Sequence, residues 1–408
     1  MKSKCTALVF FGLFLVLSPR GIRAQPEDAM YMTLLSSPGK LEIVRHPPAA
    51  DYTRMIFRGK ITSLPSYQPE SERNWQVDIR SCNLSSLDLM DRLEDLLYAD
   101  YDSRTIWPEL LPSGFDVEHI MDLGKNPGLG LRDIHKHGIT GTGVGVAIID
   151  QALLVNHVEY KDRLRLYEEI HWRRGSEAEM HGPAVASIAV GQNVGVAPGA
   201  DLYYIAEWHA RSKAGGGFEF ELTPLAQAID RIVEINRSLL QDRRIRVISI
   251  SLGINSRMNA FDLVKEAILK AEKAGIYTVY VGSEQFMGLG RSPLTDPDEI
   301  ASYGPGLFWK KSITRKLNSL MVPMDSRCTA APNGDSDYAF YRSGGMSWSV
   351  PWVAGLYALA CQEKPDITPQ MFWQVARETG VVASTTLDGK TQQYGRIINP
   401  KDLLRKLK

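Results

Sequence analysis

The run VGVAIID (Val144–Asp150) is apolar until its last residue, an aspartate. A strand with one wet face alternates polar and apolar residues; one that is apolar throughout is covered on both faces. Runs of the same kind recur at ADLYYIAEW (Ala200–Trp208), IRVISISLG (Ile245–Gly253) and IYTVYVGS (Ile276–Ser283). Between them the period changes. PLAQAIDRIVEINRSLLQD (Pro224–Asp242) carries Leu225, Ile229, Ile232, Val233 and Leu239 at helical spacing. NAFDLVKEAILKAEKAG (Asn259–Gly275) places Leu263, Val264, Ala267, Ile268 and Ala271 on one face and ends in a glycine suited to stop a helix. A further helix is predicted from Ser347, and another after DITPQ, where Thr368 can cap and Pro369 fits the first turn. Buried strands alternating with helices predict an α/β fold: a doubly wound, mostly parallel central sheet with helices on both faces. Chemistry in such sheets gathers at the carboxyl ends of the strands. Asp150 stands at one of those ends.

The remaining chain frames this unit. Of 408 residues, 23% are charged and 44% hydrophobic, an ordinary globular balance, and the formal net charge is zero. No basic stripe points to nucleic acid. Residues 1–24 read as a secretory signal: Lys2 and Lys4, then CTALVFFGLFLVL (Cys5–Leu17), then a small residue, Ala24, as cleavage point. An uncleaved anchor is the competing reading; with cleavage, no stable membrane association is expected and the product is a secreted or periplasmic monomer. Residues 25–115 hold short strand-like pieces split by Pro- and Ser-rich stretches, and form a smaller N-terminal α+β region. SSLDLMDRLEDLLYA (Ser85–Ala99) predicts an amphipathic helix, and WPELLPSGF (Trp107–Phe115) an extended linker into residues 116–408. Residues 284–343 read as irregular. The sparse cysteines, Cys5, Cys82, Cys328 and Cys361, make no disulfide scaffold; a Cys82–Cys328 bridge is open, and Cys361 fits a buried thiol.

Three element boundaries carry the residue types of nucleophilic catalysis. Asp150 ends a strand, His181 begins HGPAVASIAVG, and Ser347 opens SWSVPWVAGLYALA. A serine hydroxyl must lose a proton as it attacks a carbonyl; an imidazole takes the proton and returns it; a carboxylate orients the imidazole. Singly, each residue has a plainer role as turn former, loop residue or helix cap. Their flanking patterns resemble those of the subtilases, the subtilisin-like serine peptidases. GITGTGVGVAIID is similar to the stretch around the family's catalytic Asp, and HGPAVASIAVGQNVGVAPGADLYYI to HGTHVAG followed by GVAPxA. VISISLG is similar to VxNxSLG, GMSWSVPWVAG to GTSMAxPxVAG, and YGRIINP (Tyr394–Pro400) to the closing GxGxxN(P/A). The order Asp, His, Ser is the subtilisin order, and the likeness covers roughly residues 125–405. It implies a secreted serine endopeptidase with Asp150, His181 and Ser347 as triad, acting on protein or peptide substrates through an acyl-enzyme. Ser251, Leu252 and Gly253 would hold an extended peptide by backbone hydrogen bonds. A silent subtilase fold used for binding is the rival reading.

Several positions depart from the family. Pro183, Ala184 and Ser187 follow His181 where Thr, His and Gly are usual; Met346, Trp348 and Trp352 surround Ser347 where Thr, Met and often His stand. Ser283 occupies the place of the oxyanion-hole Asn. Removing such a donor in a related enzyme costs about 100- to 1,000-fold in turnover. Three outcomes stay open: Ser283 donates, Gln285 reaches in, or backbone N–H groups including that of Ser347 suffice. Glu207, Trp208 and Phe218–Phe220 fit either subsite walls or a solvated loop. No cofactor is required for the chemistry. DPDE (Asp296–Glu299) and NGDSD (Asn333–Asp337) are acidic loops of the kind that bind calcium, which family members often use, but they lack a ligand-loop spacing and no metal site is assigned. Residues 25–115 sit where many subtilases carry a propeptide; a retained accessory domain is the alternative.

Overall fold

The structure, a computed structural model, describes residues 30–52, 58–71, 73–212, 217–283, 286–309, 319–387 and 390–408. The proposed leader and Gln285 lie outside the described residues. A six-stranded sheet forms the centre: β1 (Tyr31–Leu34), β2 (Gly145–Asp150), β3 (Leu164–Arg173), β4 (Asp201–Glu207), β5 (Ile245–Gly253) and β6 (Tyr277–Val281), in spatial order β1-β3-β4-β2-β5-β6. The last five run parallel, and β1 pairs antiparallel with the edge of β3. The principal helices are α1 (His181–Val190), α2 (Thr223–Ser238), α3 (Phe261–Lys273) and α4 (Met346–Glu363).

Alternate residues of the strands feed two different cores. Val146 and Ile148 pack with α1 and α4, whereas Ala147 and Ile149 pack with α2 and α3. This division is why β2 has no polar position before Asp150. The predicted helix boundaries hold: α3 ends before Gly275, which adopts φ +77°, and Thr368 caps the start of the helix Pro369–Thr379, its side chain accepting from the Met371 N–H.

β3 is the strand that composition concealed. Its sequence, LRLYEEIHWR, places Glu168 and Glu169 in full burial. Arg231 of α2 pairs with Glu168 at 2.8 Å, and the Ser36 N–H donates to the same carboxylate. Arg45 and the Tyr167 hydroxyl donate to Glu169. Breaking such a buried pair costs roughly 3–5 kcal/mol, so each acid is tolerated through its partner.

The N-terminal region departs from its reading in two ways. The predicted helix over Ser85–Ala99 is confined to Leu93–Leu97. Asn83 and Asp88 turn the preceding chain, because their carboxyl or amide oxygens accept from the N–H groups of Ser85 and Met90. The region also shares a sheet with the far end of the chain. Ala99–Asp102 pairs antiparallel with Tyr338–Tyr341, which pairs with Arg327–Ala330; Val77–Asp78 completes four strands. Phe340 enters the N-terminal core beside Val77, Leu96 and Tyr101, and Trp107 and Phe115 of the expected linker pack there too. Part of 284–343 is therefore regular, with further strands at Phe286–Arg291 and Leu320–Pro323. Cys82, Cys328 and Cys361 are buried thiols in no disulfide. No helix among the described residues is long and apolar enough to cross a membrane.

Candidate active site

Asp150 ends β2, and His181 is the first residue of α1. Gly182 allows the two to meet: a Cβ there would come within 2.5 Å of the Gln151 carbonyl and 2.6 Å of the Tyr204 hydroxyl. The His181 Nδ1 lies 2.7 Å from Asp150 Oδ1. An ionised carboxylate only accepts, so this contact selects the tautomer with the proton on Nδ1 and leaves Nε2 as the basic nitrogen. The Gln151 N–H donates to the same Asp150 oxygen at 2.8 Å, and the Gln151 side chain accepts from the His181 N–H at 3.3 Å. Both side chains are largely buried.

Ser347 is the second residue of α4 and is half-buried. Gly345 before it adopts φ +68°, a conformation that favours glycine, and releases the chain into the helix. The Ser251 hydroxyl, at the end of β5, donates to the Ser347 carbonyl at 3.0 Å and ties SLG to the start of α4. Trp348 lies against His181, ring centroids 5.5 Å apart, and meets Tyr341 edge-on at 5.2 Å. Among the described residues no hydrogen bond joins the Ser347 hydroxyl to His181. Hydrogen bonds of this type are commonly loose without substrate and tighten in the complex.

The other departures find structural roles. The Ser187 hydroxyl donates to the Ala184 carbonyl and accepts from the Ala330 N–H, which pins α1 to a strand of the shared sheet. Trp352 donates to the Pro127 carbonyl at 2.9 Å. The Ser283 hydroxyl donates to the Tyr280 carbonyl at 2.9 Å and accepts from the Tyr280 N–H at 3.2 Å. It is engaged in its own turn.

Glu207, Trp208 and their neighbours gather near the same strand ends. Glu207 ends β4 in full burial and pairs with His209 at 2.6 Å. Burial opposes charge on that imidazole, but the Glu207 carboxylate outweighs it and raises the pKa. Trp208 meets Trp172 and Phe218 edge-on, under the Arg173 guanidinium. Arg173 also pairs with Glu179, whose pKa burial raises against that pairing. The Glu-Trp-His spacing was the available signal for this group. Leu252 is buried, and Phe218–Phe220 forms a short hairpin with Ala210–Ser212. The carboxylate of Asp298 is bonded by Asn126 and the Gly130 N–H, and among the described residues no three metal-ligating side chains converge. A cavity of about 520 Å³ opens at the opposite, amino ends of the strands, beside Val144 and Arg244, and takes no part in this site.

Residues 141–300 match the model of the subtilase family. Over those residues the chain is similar to the subtilases. The matched segment contains Asp150, His181, Ser251–Gly253 and Ser283, and ends before Ser347. Subtilisin-like protease 2 of Trichophyton verrucosum is 26% identical over 225 residues, which cover 53% of this chain and 50% of the relative. The protein of that name from Trichophyton rubrum is 28% identical over equal shares. The chain spans about half the length of the curated relatives it matches. A solved structure titled as that of the prenylagaramide maturation protease PagA aligns with 68% of this chain and 98% of its own at 18% identity, with a TM-score of 0.45.

Proposed function

We propose that this protein is a subtilase, a secreted serine endopeptidase that acts as a monomer on protein or peptide chains. The observation that carries the reading is the 2.7 Å pair of His181 and Asp150 at the carboxyl end of a parallel strand, with Trp348, the neighbour of Ser347, packed on the imidazole. In the proposed reaction Ser347 Oγ attacks the scissile carbonyl while His181 Nε2 takes its proton. The resulting imidazolium gives that proton to the leaving amine as the C–N bond breaks. Water, deprotonated by the same nitrogen, then hydrolyses the acyl-enzyme and restores Ser347. Asp150 remains ionised throughout, holding the tautomer and offsetting the imidazolium charge. The SLG segment, Ser251–Gly253, would pair with the backbone of an extended substrate.

The oxyanion is assigned to backbone N–H groups at the start of α4, where the helix dipole also favours negative charge. The Ser283 hydroxyl supports this choice by bonding to Tyr280. The same observation favours the second reading, a silent subtilase fold that binds peptides without cleaving them. A fluorophosphonate probe separates the two. The enzyme reading expects covalent labelling of wild type that is abolished in Ser347→Ala; a folded wild-type protein that takes up no label would leave the binding reading.

A further inference from the structure

The loop between Tyr341 and α4 delivers Ser347, and side chains from distant parts of the chain hold it residue by residue. The Arg342 N–H donates to Asp100 Oδ1 at 2.7 Å. The next carbonyl, that of Ser343, accepts from the Trp75 indole N–H at 2.7 Å. The Gly344 N–H donates to Asp325 Oδ1 at 3.2 Å. Two of these three anchors belong to residues 25–115. Asp100 is 2% exposed and sits in the strand paired with Tyr338–Tyr341, so the loop leaves a strand that the N-terminal region itself completes. Around it, Arg80 donates to the Tyr341 hydroxyl at 2.8 Å, and the Arg342 guanidinium lies over the Tyr98 ring. Trp75 holds φ +54°, a conformation bulky residues rarely adopt, and its ring meets Phe308 edge-on, while Phe308 also borders Gly345.

We infer that residues 30–115 are a permanent working part of the molecule and not a removable propeptide, and that Asp100 and Trp75 are positioning residues for Ser347. The inference rests on the proposed role of Ser347 as nucleophile. Removing the segment would strip two of three consecutive anchors from the loop, unpair Tyr338–Tyr341 on one side and leave Phe340 without its core. A nucleophile must be held to a fraction of an ångström, and a misplacement of about 1 Å can cost 100-fold in rate.

The experiment uses the secreted full-length protein and its variants. Asp100→Ala removes the acceptor, whereas Asp100→Asn keeps an oxygen at the same place. The expected result is that fluorophosphonate labelling at saturating probe slows about 10- to 100-fold in Asp100→Ala and returns to near the wild-type rate in Asp100→Asn. Hydrogen exchange should quicken at the amides of Arg342 and Gly344 in Asp100→Ala while β2 and β5 stay protected. Native mass spectrometry of the labelled wild type should find residues 30–115 in the labelled particle. A labelled particle without that segment overturns the inference. So does Asp100→Ala that labels at the wild-type rate with residues 342–344 still protected. Should Asp100→Ala fail to fold, Trp75→Phe, which removes the indole N–H while keeping an aromatic ring beside Phe308, takes its place with the same two outcomes. If the wild type takes no label, the role of Ser347 fails, and hydrogen exchange at Arg342 and Gly344 with the mass of the unlabelled particle still decides the fate of the segment.

Discussion

Asp150 and His181 face each other across one short hydrogen bond, and the proposed chemistry makes that bond's direction matter more than its strength. An amide in place of the carboxylate presents either oxygen or nitrogen to Nδ1; only the ionised carboxylate holds the proton on Nδ1 and offsets the imidazolium. Asp150→Asn should therefore fold normally and lower kcat by about 10,000-fold with little change in KM, as measured with a peptide ester under steady-state conditions. A variant within tenfold of wild type would remove Asp150 from the mechanism. These residues were legible in the sequence because each ends or opens an element and carries its glycines, prolines and small residues with it. Their supports were not. Asp100 reaches Arg342 across 242 positions, and Trp75 reaches Ser343 across 268. No local pattern marks a residue whose partner is so distant. Ser283 is marked by its place in a motif, but its hydroxyl bonds within a turn to Tyr280 that the motif does not encode.

At the level of elements, the strands that were read correctly are those whose residues declare burial. β2, β4, β5 and β6 carry almost no charge in their centres. β3 was missed because burial of Glu168 and Glu169 depends on Arg231 and Arg45 from other elements. The strand Ala99–Asp102 was missed for a related reason: ADYD holds two acids, and its pairing partner lies at the other end of the chain. That strand has a measurable signature. Burial, reinforced by the nearby Asp78 charge and opposed by Arg80 and Arg342, pushes the Asp100 carboxyl up to about 8. Burial likewise pushes Asp325 up to about 6, against Arg342 and the N–H groups of Leu307 and Gly344. Both groups hold their protons in the folded state at pH values where the unfolded chain has released them. The folded state thus binds more protons above about pH 4, and stability falls as pH rises, through about 6 for Asp325 and about 8 for Asp100. Asp100→Asn mimics the protonated form and keeps the acceptor for Arg342. It should flatten the decline between pH 6 and 8 by on the order of 1 kcal/mol or more, read from urea unfolding at the two pH values. An unchanged slope would show that Asp100 ionises normally in the fold.

Over the whole molecule, the N-terminal core and the main core meet through shared strands. Tyr338–Tyr341 sends Phe340 into the first cluster and Tyr341 into the second, and β1 closes the edge of the central sheet. Two independent domains would melt separately; two cores that share a strand should melt together. The cysteines report on this directly. Cys82 belongs to the N-terminal core and Cys361 to the main core, while Cys328 touches Met121 near their junction. All three are buried, and burial pushes the thiols of Cys328 and Cys361 up to about 12 and raises that of Cys82. The thiolate is the reactive form, so the native protein should resist iodoacetamide at neutral pH. As urea is raised, the three thiols should become reactive with one common midpoint, read site by site from peptide masses after a short alkylation pulse. A Cys82 midpoint well below that of Cys361 would show that the N-terminal core opens on its own. The loop that delivers Ser347 would then be held by a part of the protein able to leave it.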